Sequence, residues 1–255
     1  LAVAEVERLD TAYLAFNTTQ PPFSDVRVRK ALGMAIDRKA IVDAVYGTGA
    51  AVARGVLPSS MWSYDASLAD PAVDVEGAKA LLSEAGVSGL KMKLLATRSP
   101  RLYDPDPAKT ADMIAKDLAK VGVEATVVTP ATLGEYFRQS TAKDRDGAVV
   151  IGWTSDNGDP GDYLSLLLGC DAVGSSNRAQ WCNASFDDLL KQARATPDSA
   201  ERLRLYMQAQ QIADDQAPLA VIVHTLVQVP MAKAFTGYHA DPLGRHNFEG
   251  VDLLE

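Results

Sequence analysis

The stretch that most constrains the fold spans residues 147–163, with the sequence G-A-V-V-I-G-W-T-S-D-N-G-D-P-G-D-Y. Residues 147–153 are mostly apolar and β-branched, which predicts a short buried strand. The strand passes directly into a turn-rich acidic segment that carries Asp156, Asn157 and Asp159. Strand ends are where α/β sheets present ligand groups, so a binding loop is one interpretation. A solvated turn held by Asx hydrogen bonds is the other.

The segments before this strand alternate between strand and helix patterns. Thr132 and Glu135 form a capping-box signature, which predicts the start of the helix that precedes the strand at residues 147–153. Strand, helix, strand, helix, strand is the rhythm of a mostly parallel sheet flanked by helices. The predicted strands span residues 90–95, 123–128 and 147–153. The sequence therefore predicts an α/β fold.

Segments near the two ends of the chain have less regular patterns. Residues 1–16 are strand-like throughout, and residues 219–229 form a long apolar strand interrupted by His224. We interpret His224 as a core histidine with satisfied hydrogen bonds. Asp159 is interpreted as part of the loop structure after the strand at residues 147–153. Residues 235–255 carry turn signals and short apolar pieces.

Composition excludes several functional classes. The formal net charge is −8 and no run of Lys and Arg stands out, which argues against a nucleic-acid-binding surface. No apolar stretch approaches the roughly 20 residues that span a bilayer. The first residues lack a signal-peptide pattern, so we expect a mature or truncated chain. No nucleophile elbow, Walker loop or H-E-x-x-H motif occurs, which argues against an enzyme.

The two cysteines, Cys170 and Cys182, lie in one segment rich in Gly, Ser and Asn. A structural disulfide in an oxidising compartment is one interpretation, and a pair of buried free thiols is another. A metal site is the third, although no nearby His or Cys completes a set of four ligands.

Several sequence blocks resemble those of one protein family. W-T-S-D-N-G-D-P resembles the W-T-G-D-N-G-D-P segment of the periplasmic dipeptide-binding proteins, the peptide-binding subunits of ABC importers. Further blocks match in the same order. They are Y-L-A-F-N-T-T-Q-P-P-F (13–23), L-P-S-S-M-W-S-Y (57–64), R-L-Y-D-P-D-P (101–107), S-N-R-A-Q-W-C-N (176–183) and D-P-L-G-R-H-N-F-E-G-V (241–251).

The resemblance implies that this chain is part of a longer, two-lobed protein and forms mainly one of its lobes. Family members are roughly twice this long, and the matching blocks belong to their C-terminal half. The implied fold is a lobe like that of type II periplasmic binding proteins. Residues 1–230 would form the ligand-anchoring lobe, and residues 231–255 a tail that returns to the other lobe. The resemblance also favours a disulfide between Cys170 and Cys182.

The resemblance implies a site that recognises the two charged ends of a short peptide. Asp156 matches the residue that pairs with the peptide ammonium, and Arg101 matches the residue that pairs with the carboxylate. A guanidinium suits the second role because its planar fork holds a carboxylate through two parallel hydrogen bonds. Trp153 is expected to form the pocket wall or pack in the core. Tyr103 and Asn177 are weaker candidates of the same kind.

Two substitutions depart from the family pattern at this implied site. Ser155 stands where the family has glycine, which narrows the backbone options of the loop. Leu102 stands where a proline commonly follows the arginine, which removes a rigid φ angle beside Arg101.

The resemblance implies an extracytoplasmic or periplasmic solute-binding component with no cofactor. Its partners would be short peptides, the membrane permease of an ABC importer and the missing N-terminal lobe of the same protein. Relatives carry oligopeptides, murein peptides, haem, nickel or antimicrobial peptides, so haem and longer peptides are alternative ligands. A peptide or glycoside hydrolase and a purely structural domain are the rival classes.

Overall fold

The computed structural model of the protein describes residues 1–253. The strands are β1 (Ala2–Glu7), β2 (Asp10–Phe16), β3 (Ala50–Val52), β4 (Lys91–Leu95), β5 (Glu124–Val128), β6 (Ala148–Thr154), β7 (Leu219–Met231), β8 (Phe235–Thr236) and β9 (Asp252–Leu253). The helices are α1 (Val26–Ala35), α2 (Arg38–Ile41), α3 (Val75–Glu84), α4 (Pro107–Ala119), α5 (Leu133–Ser140), α6 (Pro160–Leu168), α7 (Ala184–Ala195) and α8 (Ser199–Gln216). A π-helical turn (Val42–Tyr46) continues α2, and a 3-10 turn (Cys170–Ala172) follows α6.

A seven-stranded sheet with the strand order β1-β7-β2-β6-β4-β5 forms the centre of the fold, and β3 pairs with β7 beside it. β4 pairs in parallel with both β5 and β6. Helices α4 and α5 connect these strands, so the predicted strand–helix–strand units form the parallel part of the sheet. The predicted α/β class is confirmed.

The other strand pairs are antiparallel, so the sheet as a whole is mixed. β2 lies between β6 and β7 and runs antiparallel to both. β7 is long enough to pair through its first half with β2 and through its second half with β1. The strand-like segment 1–16 is therefore two strands, because the chain breaks at Arg8 and Leu9 when it moves from one half of β7 to the other.

Side-chain caps set the beginnings of the helices. Asp25, Asp74, Thr132 and Asp198 each accept a hydrogen bond from a backbone N–H in the first turn of the helix that follows. The start at Thr132 was predicted from its capping-box signature, whereas α6 was not predicted. Its opening residues, D-P-G-D, are typical of turns, yet proline is also favoured in the first turn of a helix because its missing N–H needs no partner there.

The predicted core histidine, His224, is buried at the centre of the sheet, but only one of its ring nitrogens has a hydrogen-bond partner, since Nε2 has none within residues 1–253. Nδ1 of His224 lies 2.6 Å from the backbone oxygen of Asp10. The Asp10 carboxylate accepts two hydrogen bonds from Thr225, one from the backbone N–H at 2.9 Å and one from the hydroxyl at 2.6 Å. These contacts join β2 to β7 next to the strand end that leads into the acidic segment.

The buried carboxyl group of Asp10 should make stability pH-dependent. Burial raises the pKa of Asp10 to about 6, above the ordinary value of 3.8, so the folded state retains a proton that the unfolded state releases between these values. The contribution of Asp10 to the free energy of unfolding should therefore fall as the pH rises from 4 to 7, by on the order of 2 kcal/mol. Urea unfolding of the protein and of Asp10→Asn at both pH values measures this contribution as a difference. A difference that is constant, or that grows in favour of aspartate with pH, would contradict the prediction.

The tail carries little regular structure. β8 and β9 form a separate two-stranded sheet. The boundary between residues 230 and 231 remains a prediction, and residues 254 and 255 of the predicted tail lie outside the described residues. Across residues 1–253, no helix combines the length and the apolar character needed to cross a membrane.

Candidate ligand-binding site

A cavity of about 290 Å³ lies at the end of β6 and brings together four of the five predicted site residues. These are Arg101, Tyr103, Trp153 and Asp156. β4 leads into the loop that carries Arg101, β5 leads into α5, and β6 leads into the Asp156 loop. Because the carboxyl ends of parallel strands meet at one edge of a sheet, these three connections converge there.

Arg101 is held by a tight turn and by aromatic rings. Its backbone N–H and carbonyl both bond to Asp104, with distances of 2.8 and 3.2 Å. Its guanidinium carbon lies 5.8 Å from the ring centroid of Tyr103 and 5.9 Å from that of Phe137. Leu102 stands where the family has a proline, and its side chain is 70% exposed. The backbone turn therefore fixes this loop without the rigid ring of a proline.

The loop around Asp156 is built from its neighbours' side chains. The hydroxyl of Ser155 accepts a hydrogen bond from the N–H of Gly158 at 2.9 Å, and Oδ1 of Asn157 accepts one from the N–H of Asp159 at 2.9 Å. Ser155 thus stabilises the turn with the very side chain that the family's glycine lacks. Asp156 is exposed. Its carboxylate takes part in none of the hydrogen bonds that hold this loop together within residues 1–253.

Asp159 has a structural role, as predicted, but it caps a helix and does not merely stabilise a loop. One carboxylate oxygen accepts hydrogen bonds from the N–H groups of Gly161 at 2.7 Å and Asp162 at 3.3 Å, at the start of α6. The other oxygen forms an ion pair with Arg202 of α8 at 3.1 Å. Because Asp159 is committed to these partners, Asp156 is the acidic side chain of the loop that faces the cavity.

Trp153 and Tyr103 form apolar walls of the cavity. Trp153 is half-buried, and its indole Nε1 is buried with no hydrogen-bond partner within residues 1–253. Nε of Arg101 is likewise buried and has no hydrogen-bond partner within residues 1–253. Tyr103 lies against the backbone of Gly152, and burial raises the pKa of its phenol above the ordinary value. Buried N–H groups usually have partners, so two unpaired donors beside one cavity indicate a place for an acceptor.

Asn177 does not line the cavity. It is fully buried, and its Nδ2 donates to the carbonyl oxygens of Gly169 at 3.1 Å and Trp181 at 2.7 Å. These two residues directly precede the two cysteines, so Asn177 ties the ends of the cysteine loop together. Its neighbours Ser176 and Arg178 line the cavity instead.

Arg178 and Phe137 are among the cavity residues that the sequence did not predict. Arg178 sits one position after Asn177 in the block S-N-R-A-Q-W-C-N, but an arginine in a polar loop gives no signal that separates it from a surface residue. Phe137 lies on α5, where an aromatic residue at helical spacing indicates core packing.

Cys170 and Cys182 form the predicted disulfide bond. Replacing both with serine should lower the free energy of unfolding by about 3 kcal/mol in the chain-entropy model, because the unfolded loop is then no longer closed. Urea unfolding of both proteins, with and without reductant, measures the loss. The double variant should be insensitive to reductant, which makes it the matched control. Two alkylatable thiols in unreduced, natively exported protein would contradict the prediction.

Comparison with known proteins gives consistent matches. The family model described as bacterial extracellular solute-binding proteins, family 5, matches residues 1–175. The dipeptide-binding protein of Escherichia coli K12 is 42% identical over 252 residues, which are 98% of this chain and 46% of that protein. The chain therefore spans about half the length of the curated relatives that it matches.

Solved structures show the same fold. HbpA2 from Haemophilus parasuis superimposes with a TM-score of 0.95 at 36% identity, covering 99% of this chain and 50% of that one. The dipeptide-binding protein from Pseudoalteromonas sp. SM9913, solved in complex with Met-Leu, gives a TM-score of 0.85 at 33% identity, covering 99% and 50%. This chain belongs to family 5 of the bacterial extracellular solute-binding proteins.

Proposed function

We propose that this chain is the ligand-anchoring lobe of a solute-binding protein that captures dipeptides or other short peptides by their charged ends. The observation that carries the proposal is one cavity lined by both Asp156 and Arg101. A short peptide has an ammonium at one end and a carboxylate at the other, at a separation that the length of its backbone limits. An anion and a cation on the same cavity match that charge pattern.

The unpaired donors of the cavity support the same proposal. A peptide carboxylate would accept hydrogen bonds from the Arg101 guanidinium, whose Nε lacks a partner among residues 1–253. The indole N–H of Trp153, another lining residue, also lacks a hydrogen-bond partner among residues 1–253. The names of the relatives, a dipeptide-binding protein and a complex with Met-Leu, agree with this ligand class.

A second lobe, outside this chain, would complete the enclosure. Closure of two lobes would exclude water, so that both end charges interact in a medium of low dielectric constant. Water-filled side-chain pockets would tolerate varied peptide sequences. The closed protein would then deliver its ligand to the permease of an ABC importer on the outer side of the cytoplasmic membrane.

We assign the cavity no catalytic role. Its serine, Ser176, donates its hydroxyl hydrogen to the carbonyl oxygen of Leu166 at 2.7 Å. The buried histidine, His224, lies against Asp10 and not among the lining residues. A nucleophile activated by a base is therefore not part of the proposed function.

The test is a calorimetric titration of free dipeptides, one N-acetylated dipeptide and a longer peptide into the two-lobed protein and into this chain. The two-lobed protein should bind free dipeptides at micromolar or lower concentration and lose them on acetylation. The isolated chain should bind them more weakly, because the end charges stay solvated in a half-open site. Micromolar binding by the isolated chain would contradict the role of closure.

A parallel absorbance titration with haem addresses the alternative ligand class. Haem offers propionate groups to Arg101 but no ammonium to Asp156. Absence of dipeptide binding to both proteins, together with a haem titration that saturates at one equivalent, would overturn the peptide proposal.

A further inference from the structure

Two arginines, Arg101 and Arg178, line the cavity, and the guanidinium group of each lies near the ring of Phe137. The guanidinium carbon of Arg101 lies 5.9 Å from the ring centroid of Phe137, and that of Arg178 lies 5.8 Å from it. Arg101 comes from the loop after β4 and Arg178 from the disulfide-closed loop, so two distant parts of the chain bring two cations to the same ring. Cation–π contacts hold each guanidinium at the ring, but they leave its charge intact.

The cavity has an excess of positive charge that the protein does not balance. Arg101 and Arg178 are its cationic lining residues, and Asp156 is its acidic one. Neither arginine has an ion-pair partner within the described range 1–253. This local excess contrasts with the net charge of −8 for the whole chain. Two cations close to one ring repel each other, and the repulsion is larger where solvent is partly excluded.

Arg178 is partly desolvated and keeps unused donors. Desolvation lowers the pKa of its guanidinium from the ordinary value, although arginine stays charged at neutral pH. Nη1 donates to the backbone oxygen of Ser175. Nε and Nη2 have no protein acceptor among the described residues, so one edge of the planar fork is free for a carboxylate.

The backbone of Arg178 is firmly positioned. Its carbonyl oxygen accepts a hydrogen bond from Nη2 of the buried Arg145 at 2.8 Å. The side chain of the preceding residue, Asn177, is bonded to both ends of the loop, and the Cys170–Cys182 disulfide closes it. A preorganised cation loses little conformational entropy when a ligand binds, so its contribution to affinity is larger.

An uncharged-side-chain dipeptide leaves Arg178 without a partner. Its ammonium would pair with Asp156 and its single carboxylate with Arg101, after which the cavity still carries one unmatched positive charge. Building on the proposed function, we propose that Arg178 is a specificity-determining residue that selects peptides with a second carboxylate next to the C-terminal one. The ligand class is a dipeptide whose second residue is glutamate or aspartate.

The test compares Ala-Glu with its neutral isostere Ala-Gln in calorimetric titrations of the two-lobed protein. We expect Ala-Glu to bind at least about tenfold more tightly, since a charge-assisted bidentate pair replaces a neutral contact. Arg178→Gln should lower the affinity for Ala-Glu at least about tenfold more than the affinity for Ala-Gln. Arg138→Gln is the matched control, because Arg138 is exposed on α5, one residue from Phe137, and does not line the cavity. It should preserve the preference for Ala-Glu.

Each outcome separates this inference from the proposed function. If Ala-Gln and Ala-Glu bind equally well, or if the preference for Ala-Glu survives Arg178→Gln, the role of Arg178 is overturned while peptide binding stands. If the preference is lost equally in Arg138→Gln, the selection comes from the overall field and not from Arg178, which also overturns the inference. If neither dipeptide binds to the unsubstituted protein, the proposed function and this inference both fail.

Discussion

Replacing Asp156 with asparagine is expected to weaken the binding of Ala-Ala to the two-lobed protein by about 100-fold, or roughly 3 kcal/mol. The substitution keeps the size of the side chain but removes the negative charge that the ammonium would meet. The loop itself should survive, because its hydrogen bonds come from Ser155, Asn157 and Asp159 and not from Asp156. Isothermal titration of both proteins with Ala-Ala measures the change.

The ligand provides one control for Asp156 and the chain provides another. N-acetyl-Ala-Ala has no ammonium, so Asp156→Asn should change its weak affinity little. Asp171→Asn removes the same charge from an exposed position outside the cavity and should leave Ala-Ala binding within about twofold, since exposed charges at a distance are screened. Equal losses in both aspartate variants, or an unchanged affinity in Asp156→Asn, would remove Asp156 from the site.

The local parts of the fold were predictable because their signals are local. The apolar run of β6, the capping side chain of Thr132 and the strand–helix–strand rhythm each depend on a few consecutive residues. Prediction failed where long-range pairing decides the structure. The division of residues 1–16 into β1 and β2 depends on which half of β7 each strand meets, and no local pattern encodes that choice.

The site followed the same division between local and long-range information. The motif resemblance pointed to Asp156 and Arg101, and the convergence of parallel strand ends brings both to one cavity. It also pointed to Asn177, whose two neighbours, Ser176 and Arg178, line the cavity while Asn177 itself does not. Side-chain direction in an irregular loop depends on contacts such as those of Asn177 with Gly169 and Trp181, which are not visible in the sequence. Arg178 therefore emerges only from the three-dimensional arrangement.

A second large effect is expected from Gly152→Ala, within β6. An added Cβ would overlap both the backbone oxygen of Thr11 on the paired strand and the ring of Tyr103. The backbone oxygen is fixed by strand pairing, so the Tyr103 ring must move, and the turn that holds Arg101 moves with it. We expect a loss of about 3 kcal/mol in the free energy of unfolding and at least about tenfold weaker dipeptide binding. Urea unfolding and titration with Ala-Ala measure the two effects.

Gly134→Ala is the matched control, because α5 also contributes to the cavity through Phe137. An added Cβ at Gly134 meets no atom within 4 Å, and alanine favours helix over glycine by roughly 1 kcal/mol, so this variant should be as stable as the original protein or slightly more so. Both substitutions add one methyl group to an element that contributes to the cavity. Only the methyl group at position 152 should displace a lining side chain, that of Tyr103. If Gly152→Ala left both stability and binding unchanged, Tyr103 could yield without consequence, and its packing on Gly152 would not be what positions Arg101.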